Sequence, residues 1–368
     1  MDISKEMSAR FTNMSFVCAC LVVLIHIEIC PEFGAPLWWV EQLFAHKGMT
    51  NVAVPFFFLS SGFFLAGNVR SLNWYGTAIV KRVRSLLVPF VAWNVLYRLF
   101  LLTLECVSPR LGYMPHIPFP VYSQVSDVVN AIGINPLALP GHPHLWFVRC
   151  LFLYVLISPL VVRVVRKLHS LWCWGGIFLA LVFTLLKVPS EVKEFVSYYY
   201  SIEGLFYFSF GMALRMQCCR SWTGYFFGKG KALLAIGILL SCIPSVCCFV
   251  LGRDMEMLAY AFRIVATPFL MYGLWSVMPG RNVFGPLAGC AFPIYILHKF
   301  ALLFIAGVTG ALGMRDYMAY ESVSLYFGRM ILGVGLICLL VKVIEKTCPR
   351  VAAFLFGGRT TLKRSRRP

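Results

Sequence analysis

The chain has 368 residues, of which 60% are hydrophobic and 13% charged, and its mean hydropathy is +0.78. Soluble domains contain only about half apolar residues, so this composition excludes an ordinary soluble protein and predicts an all-α, polytopic integral membrane protein. Lys and Arg number 33 against 15 acidic residues, which gives a formal net charge of +18.

Apolar stretches near the roughly 20 residues needed to cross a bilayer recur about ten times along the chain. No internal repeat or low-complexity linker separates them, so we predict one membrane domain over residues 1–368. A Pro- and Gly-rich connection at 107–144 is the longest segment without a span and is typical of an ordered or re-entrant loop. The predicted spans are 13–30, 50–67, 86–106, 145–162, 170–187, 202–217, 232–251, 260–278, 285–307 and 323–344, followed by a basic tail at 345–368.

Basic residues are concentrated in every second connection between the spans. These connections lie on the same side of the membrane as the N-terminus. This asymmetry follows the positive-inside rule and predicts that both termini are cytoplasmic. The membrane that we expect is a bacterial cytoplasmic membrane. The tail "KRSRR" is then a topology signal that also contacts anionic membrane lipid, and we predict no nucleic-acid partner. The basic residues on this side include Lys5, Arg10, Arg70, Lys81, Arg82, Arg84, Arg163, Arg166, Lys167, Arg215, Arg220, Lys229, Lys231 and Arg281.

The first span contains His26, and the ninth contains His298. Ionisable side chains inside hydrocarbon are costly and usually mark a functional site. Each histidine lies about 13 residues beyond the predicted cytoplasmic start of its span, or ~20 Å at 1.5 Å per residue. The two imidazoles therefore share a predicted depth. The alternative to a functional site is a structural role, in which each imidazole makes a hydrogen bond between helices.

Other candidate residues cluster near span ends. Lys81 and Arg84 would share one helix face before the third span, beside Arg82, and form either a phosphate clamp or ordinary positive-inside flanks. Arg149 and Trp146, which follow His142 and His144 in the sequence, either bind a sugar or anchor the helix at the interface.

Three further features carry weaker signals. Glu28 either contacts sugar hydroxyls or is a solvated helix end. Ser60 is an oxyanion donor or a helix-packing residue. The 14 cysteines lack paired metal-ligand spacing, which favours buried apolar residues, and we predict no metal site.

Five segments, in consistent order from about residue 13 to residue 344, resemble the acyltransferase 3 family of membrane-bound acyltransferases. The segments are "LVVLIHI", "VAVPFFFLSSGFFLAG", "KRVRSLLVPFVAWN", "HLWFVRCLFLYVLISPL" and "FPIYILHKF". The resemblance implies an O-acyltransferase that moves an acyl group, usually acetyl, from cytoplasmic acyl-coenzyme A (acyl-CoA) to a hydroxyl of a sugar or envelope glycan.

One position departs from the family pattern. Members usually carry an Arg eleven residues before the first-span histidine, where this chain has Ser15. Arg10 is the nearest guanidinium and is the replacement that we expect to contact the donor, together with Lys81, Arg82 and Arg84.

Acyl transfer to a hydroxyl requires a base, and a neutral imidazole, with an ordinary pKa near 6.5, suits that task. His26 is the predicted base, and His298 is the second catalytic candidate. The rival interpretation is a transporter or flippase of polar envelope precursors, because intramembrane Arg and His also line transport pathways. A non-catalytic membrane scaffold is a third possibility, and a requirement for coenzyme A separates the first two.

Overall fold

A computed structural model describes residues 4–27, 38, 40, 48–69, 73–107, 142–168, 170–188, 192, 200–216, 228–251, 256–312 and 323–359. Within these ranges all regular secondary structure is helical. Most of the predicted loop at 107–144 lies outside the described residues.

The helices follow the predicted spans in order. Among the described residues, six stretches are long and apolar enough to cross a membrane, and a seventh is added if one bent pair counts as a single span. The all-helical membrane fold is confirmed, and the number of ten spans stays a prediction. The helices are α1 (Lys5–Ile25), α2 (Ala53–Ala66), α3 (Trp74–Arg82), α4 (Val88–Val107), α5 (Trp146–Leu156), α6 (Ser158–Val165), α7 (Leu171–Lys187), α8 (Ile202–Met216), α9 (Gly230–Leu251), α10 (Glu256–Val277), α11 (Ala291–Ala311), α12 (Val323–Thr347) and α13 (Pro349–Leu355).

Helix α1 begins earlier than the predicted span 13–30. The Ser4 side chain accepts a hydrogen bond from the Met7 N–H at 3.1 Å, which satisfies one of the unpaired donors at a helix N-terminus. Hydropathy does not detect this polar first turn. The helix ends at Ile25, so His26 is its C-cap rather than a residue inside the helix.

The fourth predicted span is broken. Helices α5 and α6 meet at Ile157 with a bend of 67°. Pro159 causes the break, because a proline lacks the N–H that would bond to Val155 and its ring clashes with that carbonyl. The Ser158 hydroxyl donates to the Val155 carbonyl instead, at 2.7 Å.

Helices α2 and α8 pack with their backbones in close contact. A Cβ at Gly62 would lie 2.0 Å from the Phe208 carbonyl oxygen, and a Cβ at Gly211 would lie 2.0 Å from that of Leu59. Only glycine fits at these positions, as is common where membrane helices approach closely.

Several basic residues lie together at one end of the bundle. At the end where α1 begins, the Asn13 amide donates to the backbone carbonyls of Pro279 and Arg281, at 3.1 and 2.8 Å. The C-terminal helix α13 returns to the same end. We call this end, which carries Lys5, Lys81, Arg84, Arg281 and Arg359, the basic end; His26 lies at the opposite end of α1.

Candidate active site

Three imidazoles meet at the end of α1 opposite the basic end. The ring centroid of His26 lies 4.9 Å from that of His298 and 4.3 Å from that of His144, and the His144 and His298 centroids are 5.1 Å apart. They come from three elements: the C-cap of α1, the 3₁₀ turn before α5, and α11. The structure thus brings together the two predicted catalytic residues and adds a third histidine.

A hydrogen bond fixes the role of each nitrogen of His298. Its Nδ1 lies 2.6 Å from the Tyr295 carbonyl oxygen, one turn earlier on α11. A carbonyl only accepts, so Nδ1 carries the proton and Nε2 carries the lone pair in the neutral ring. Nε2 is buried and has no hydrogen-bond partner among the described residues. This nitrogen is able to accept a proton from a substrate or to take a hydrogen bond from one.

Tyr295 connects the histidines to one another. Its carbonyl orients His298, and its hydroxyl donates to the backbone carbonyl of His144. The Tyr295 ring also packs against Phe147, with centroids 5.4 Å apart. One turn of α11 therefore positions both the His298 ring and the turn that carries His144.

His142 contacts α4 next to the cluster of three imidazoles. It is fully buried, its backbone N–H donates to Asn94 Oδ1 at 2.8 Å, and its ring lies 4.3 Å from that of Tyr97.

Burial, reinforced by the positive charge that His298 can carry, lowers the pKa of His142 to about 3. Burial, followed by the charges on His298 and His26, also holds the pKa of His144 well below its usual value. Both rings are therefore neutral near pH 7.

A cavity of about 830 Å³ leads from the basic end toward these residues. Ser8, Thr12 and Ser15 line it along one face of α1, since they follow one another at helical spacing. Lys81 and Arg359 line it at the basic end. Tyr295, one turn before His298, also lines it, so the cavity joins the basic end to the neighbourhood of the imidazoles.

A second cleft of about 730 Å³ lies at the basic end. Lys81 and Arg84 both line it, with the C-terminal residues Gly357 and Gly358. The predicted shared face of Lys81 and Arg84 is thus present, across the π-helical turn Val83–Leu87 that joins α3 to α4. Lys81 lines both the cleft and the larger cavity.

Arg10 is not among the residues that line the cavity, and its expected contact with the acyl donor stays a prediction. Its guanidinium donates to the Ser276 carbonyl at 2.5 Å and to Glu6 Oε1 at 2.8 Å, and it lies 5.5 Å from the Trp275 ring centroid. These contacts hold the side chain against α10. Ser15, the position of the family arginine, does line the cavity.

The remaining predicted residues divide into three groups. Ser60 is buried and donates to the Phe57 carbonyl at 3.1 Å, whereas Ser61 lines the cavity, because successive helix residues point about 100° apart. Trp146 and Arg149 are half-buried on the first turn of α5, directly after His144. Glu28 lies outside the described residues.

The three imidazoles also have the spacing of a metal site. One ring nitrogen from each of His26, His144 and His298 lies within 4.8 Å of the others. Three histidines and an open fourth position form a common zinc arrangement, and such ligands typically donate their other nitrogen to a carbonyl, as His298 does. The sequence-based absence of a metal stays a prediction.

Sequence reasoning does not place His144 or Arg359 in the site. In the sequence, His144 stands out only as a neighbour of Trp146, and the signal for it is a histidine directly before an apolar span. In the sequence, Arg359 is only one of several basic residues in the C-terminal tail. Both positions depend on contacts between segments far apart in the chain, which hydropathy does not report.

The acyltransferase 3 family model, described as an acyltransferase domain, matches residues 11–342. The chain belongs to the acyltransferase 3 family. It is also similar to the succinoglycan biosynthesis protein ExoH of Rhizobium meliloti (strain 1021), with 21% identity over 378 residues that cover 98% of this chain and 95% of that protein. No solved structure matches the chain. The family and the apolar helices together identify an integral membrane acyltransferase.

Proposed function

We propose that this acyltransferase 3 member transfers an acyl group, acetyl in the simplest case, from acyl-CoA at the basic end to a hydroxyl of an extracytoplasmic sugar or envelope glycan. The observation that carries the proposal is the position of the cavity, which none of the three imidazoles lines but which reaches the helical turn that carries His298. A single cavity extends from Lys81 and Arg359 to Tyr295, which holds His298 beside His26.

His26 is the proposed general base. Its lone pair takes the proton from the acceptor hydroxyl while the hydroxyl oxygen attacks the thioester carbonyl. The tetrahedral intermediate then expels the coenzyme A thiolate, and the imidazolium returns the proton to that sulfur. The products are the acyl ester and free coenzyme A. His26 caps the C-terminus of α1, where the partial negative charge of the helix dipole stabilises the imidazolium.

His298 is proposed to assist at the same centre. Because its Nδ1–H is held by Tyr295, its Nε2 presents a fixed lone pair toward the cluster. This nitrogen can accept a hydrogen bond from the acceptor hydroxyl or from His26 and orient it. The rigid backbone of α11 sets this geometry before substrate binds, which lowers the cost of ordering in the transition state.

The donor is proposed to enter from the basic end. The phosphates of acyl-CoA would meet Lys81, Arg82 and Arg84, and its pantetheine arm would follow the cavity along α1. Ser8, Thr12 and Ser15 offer hydroxyls to the amides of that arm, and Phe57 and Phe147 supply apolar contact. Arg10 is held against α10 and is not part of this proposed site.

The acceptor is proposed to approach from the opposite end. Trp146 and Arg149 lie within the first turn of α5, just beyond His144, where an aromatic face and a guanidinium suit a sugar ring and its hydroxyls. The name of the similar protein concerns succinoglycan biosynthesis, and this favours a polysaccharide or its lipid-linked precursor as the acceptor.

The test uses the purified full-length protein in lipid nanodiscs. It is incubated with acetyl-CoA labelled in the acetyl group and with a panel of envelope glycans, including succinoglycan repeat units. We expect a labelled ester on one glycan, released by mild alkali, and an equal yield of free coenzyme A. A protein that carries glycan across proteoliposome membranes without consuming acetyl-CoA would contradict the proposal in favour of transport.

A further inference from the structure

The C-terminal segment that follows α12 folds back onto the basic end. The Trp93 indole N–H of α4 donates to the Leu355 carbonyl at 2.8 Å, and the rings of Trp93 and Phe356 stack with centroids 6.0 Å apart. This anchoring makes the segment part of the folded bundle. Arg359, which follows this segment directly, therefore belongs to the bundle as well.

Two glycines direct the chain after α13. Gly357 has φ +62°, and the Gly358 N–H donates to the Ala353 carbonyl at 2.8 Å, which is the hydrogen bond of a Schellman C-cap. A Cβ at Gly357 would lie 2.5 Å from the Ser85 carbonyl oxygen. The glycine thus allows both the left-handed turn and the close approach to the π-helical turn that joins α3 to α4. The turn directs Arg359 toward the cavity.

Arg359 lies in a strongly basic and partly desolvated position. Its guanidinium carbon lies 3.9 Å from the ring centroid of Phe292, and the residue lines the same cavity as Lys81 and Ser15. Burial, reinforced by the nearby charge of Arg82, lowers the pKa of Arg359 to about 9. Among the residues that the structure describes, no carboxylate forms an ion pair with Arg359. Uncompensated cations held this close favour an anionic ligand.

We propose that Arg359 binds a phosphate of the acyl donor and supplies, from the C-terminal segment, the cation that this chain lacks at Ser15. The inference rests on the proposed function for the identity of the donor. Ser15 and Arg359 line one cavity, so a guanidinium can reach that space from either element. The Gly357–Arg359 segment then forms a wall of the donor site between the cleft and the cavity.

The experiment measures the affinity of the full-length protein in zwitterionic lipid nanodiscs for two probes, coenzyme A and pantetheine, which lacks the phosphates. Arg359→Ala removes the side chain, and Arg359→Gln keeps a polar side chain while removing the charge. Arg350→Ala is the matched control, since Arg350 is an exposed arginine of α13. We expect both Arg359 variants to weaken coenzyme A binding about ten- to a hundredfold, as the loss of a charge-assisted contact does, and to leave pantetheine binding unchanged.

The melting temperature separates binding from packing. Removal of Arg359 relieves its repulsion with Arg82 but also loses its contact with the Phe292 ring. These two effects oppose each other, so the melting temperature should stay close to the wild-type value, and a large fall in both variants would indicate a packing role and overturn the inference. Unchanged coenzyme A affinity in both Arg359 variants would overturn the inference, and so would an equal loss for both probes, which indicates a packing role.

Two further outcomes identify other failures. If Arg359 instead binds a lipid headgroup, the variants lose retention of phosphatidylglycerol in mixed discs while coenzyme A affinity stays at the wild-type value, and the inference is wrong. If the wild-type protein itself binds no coenzyme A, the proposed donor is wrong and the inference fails with it. Wild-type binding that Arg359 substitutions do not alter overturns the inference and leaves the proposed function intact.

Discussion

His26 and His298 differ in what a substitution would remove. His298 is held by the Tyr295 carbonyl, whereas His26 caps α1 and has an aromatic contact with each of the other two imidazoles. We expect His26→Gln to retain fold and coenzyme A affinity while kcat falls by ~10²–10⁴, the usual contribution of a general base. Glutamine keeps a hydrogen-bonding group but cannot accept a proton near neutrality.

The measurement is single-turnover acetyl transfer, accompanied by coenzyme A binding and thermal unfolding. Loss of rate with unchanged donor binding assigns the chemical step to His26. If the glutamine variant keeps a wild-type kcat, the imidazole serves helix packing and the base has to be sought at His298.

The spacing of the histidine cluster makes zinc an informative inhibitor. Nitrogens of His26, His144 and His298 within 4.8 Å of one another can share one divalent ion, which would occupy the lone pairs that a base needs. We expect added Zn²⁺ to inhibit acetyl transfer, EDTA to restore it, and His144→Gln to weaken the inhibition. Activity that EDTA abolishes and Zn²⁺ restores would instead show that the metal is required, contrary to the sequence-based prediction.

At the scale of single elements, the junction of α3 and α4 is the best test of donor binding. Lys81 and Arg84 line one cleft, so we expect Lys81→Ala with Arg84→Ala to raise the KM for acetyl-CoA by about tenfold or more, as lost phosphate contacts do. The control is Arg163→Ala with Arg166→Ala, a pair with the same spacing. Arg163 lies in α6 and Arg166 directly follows it; both are exposed, and they line neither the cleft nor the cavity. Equal effects of the two double variants would mean that the Lys81 cluster serves topology alone.

The packing of α2 against α8 yields a stability prediction. Gly62→Ala places a methyl group 2.0 Å from the Phe208 carbonyl oxygen, and overpacking of this kind costs about 1–3 kcal/mol. We expect a lower melting temperature in detergent. Gly175→Ala is the control, because a Cβ at that helical glycine would meet no neighbouring atom within 4 Å and alanine favours the helix. A Gly62 variant as stable as the Gly175 variant would show that the two helices separate easily.

At the scale of the whole molecule, composition and hydropathy are enough to predict the class of fold and the order of the helices. They also predict the shared depth of His26 and His298, because position along a helix is a local property. They do not predict the break at Ile157, the contact of His144 with those rings, or the return of Arg359 to the cavity. The break at Ile157 depends on a single residue, Pro159, within an apolar run. The positions of His144 and Arg359 depend on which helices become neighbours.

The orientation of the protein in the membrane can also be tested. The N-terminal face Ser8–Ser15, Lys81 and Arg359 line one cavity, so the N-terminus, the end of α3 and the segment after α13 lie on one side. The excess of basic residues there predicts the cytoplasmic side. We expect a fluorescent protein fused after Pro368 to fluoresce in cells and an alkaline phosphatase fused there to be inactive. A phosphatase joined after Pro120 is the matched control and should be active, because the connection 107–144 follows the third predicted span and so lies on the side opposite the N-terminus. An active phosphatase at Pro368 would reverse the orientation and place the basic cluster away from cytoplasmic acyl-CoA, so the donor route proposed above would be wrong.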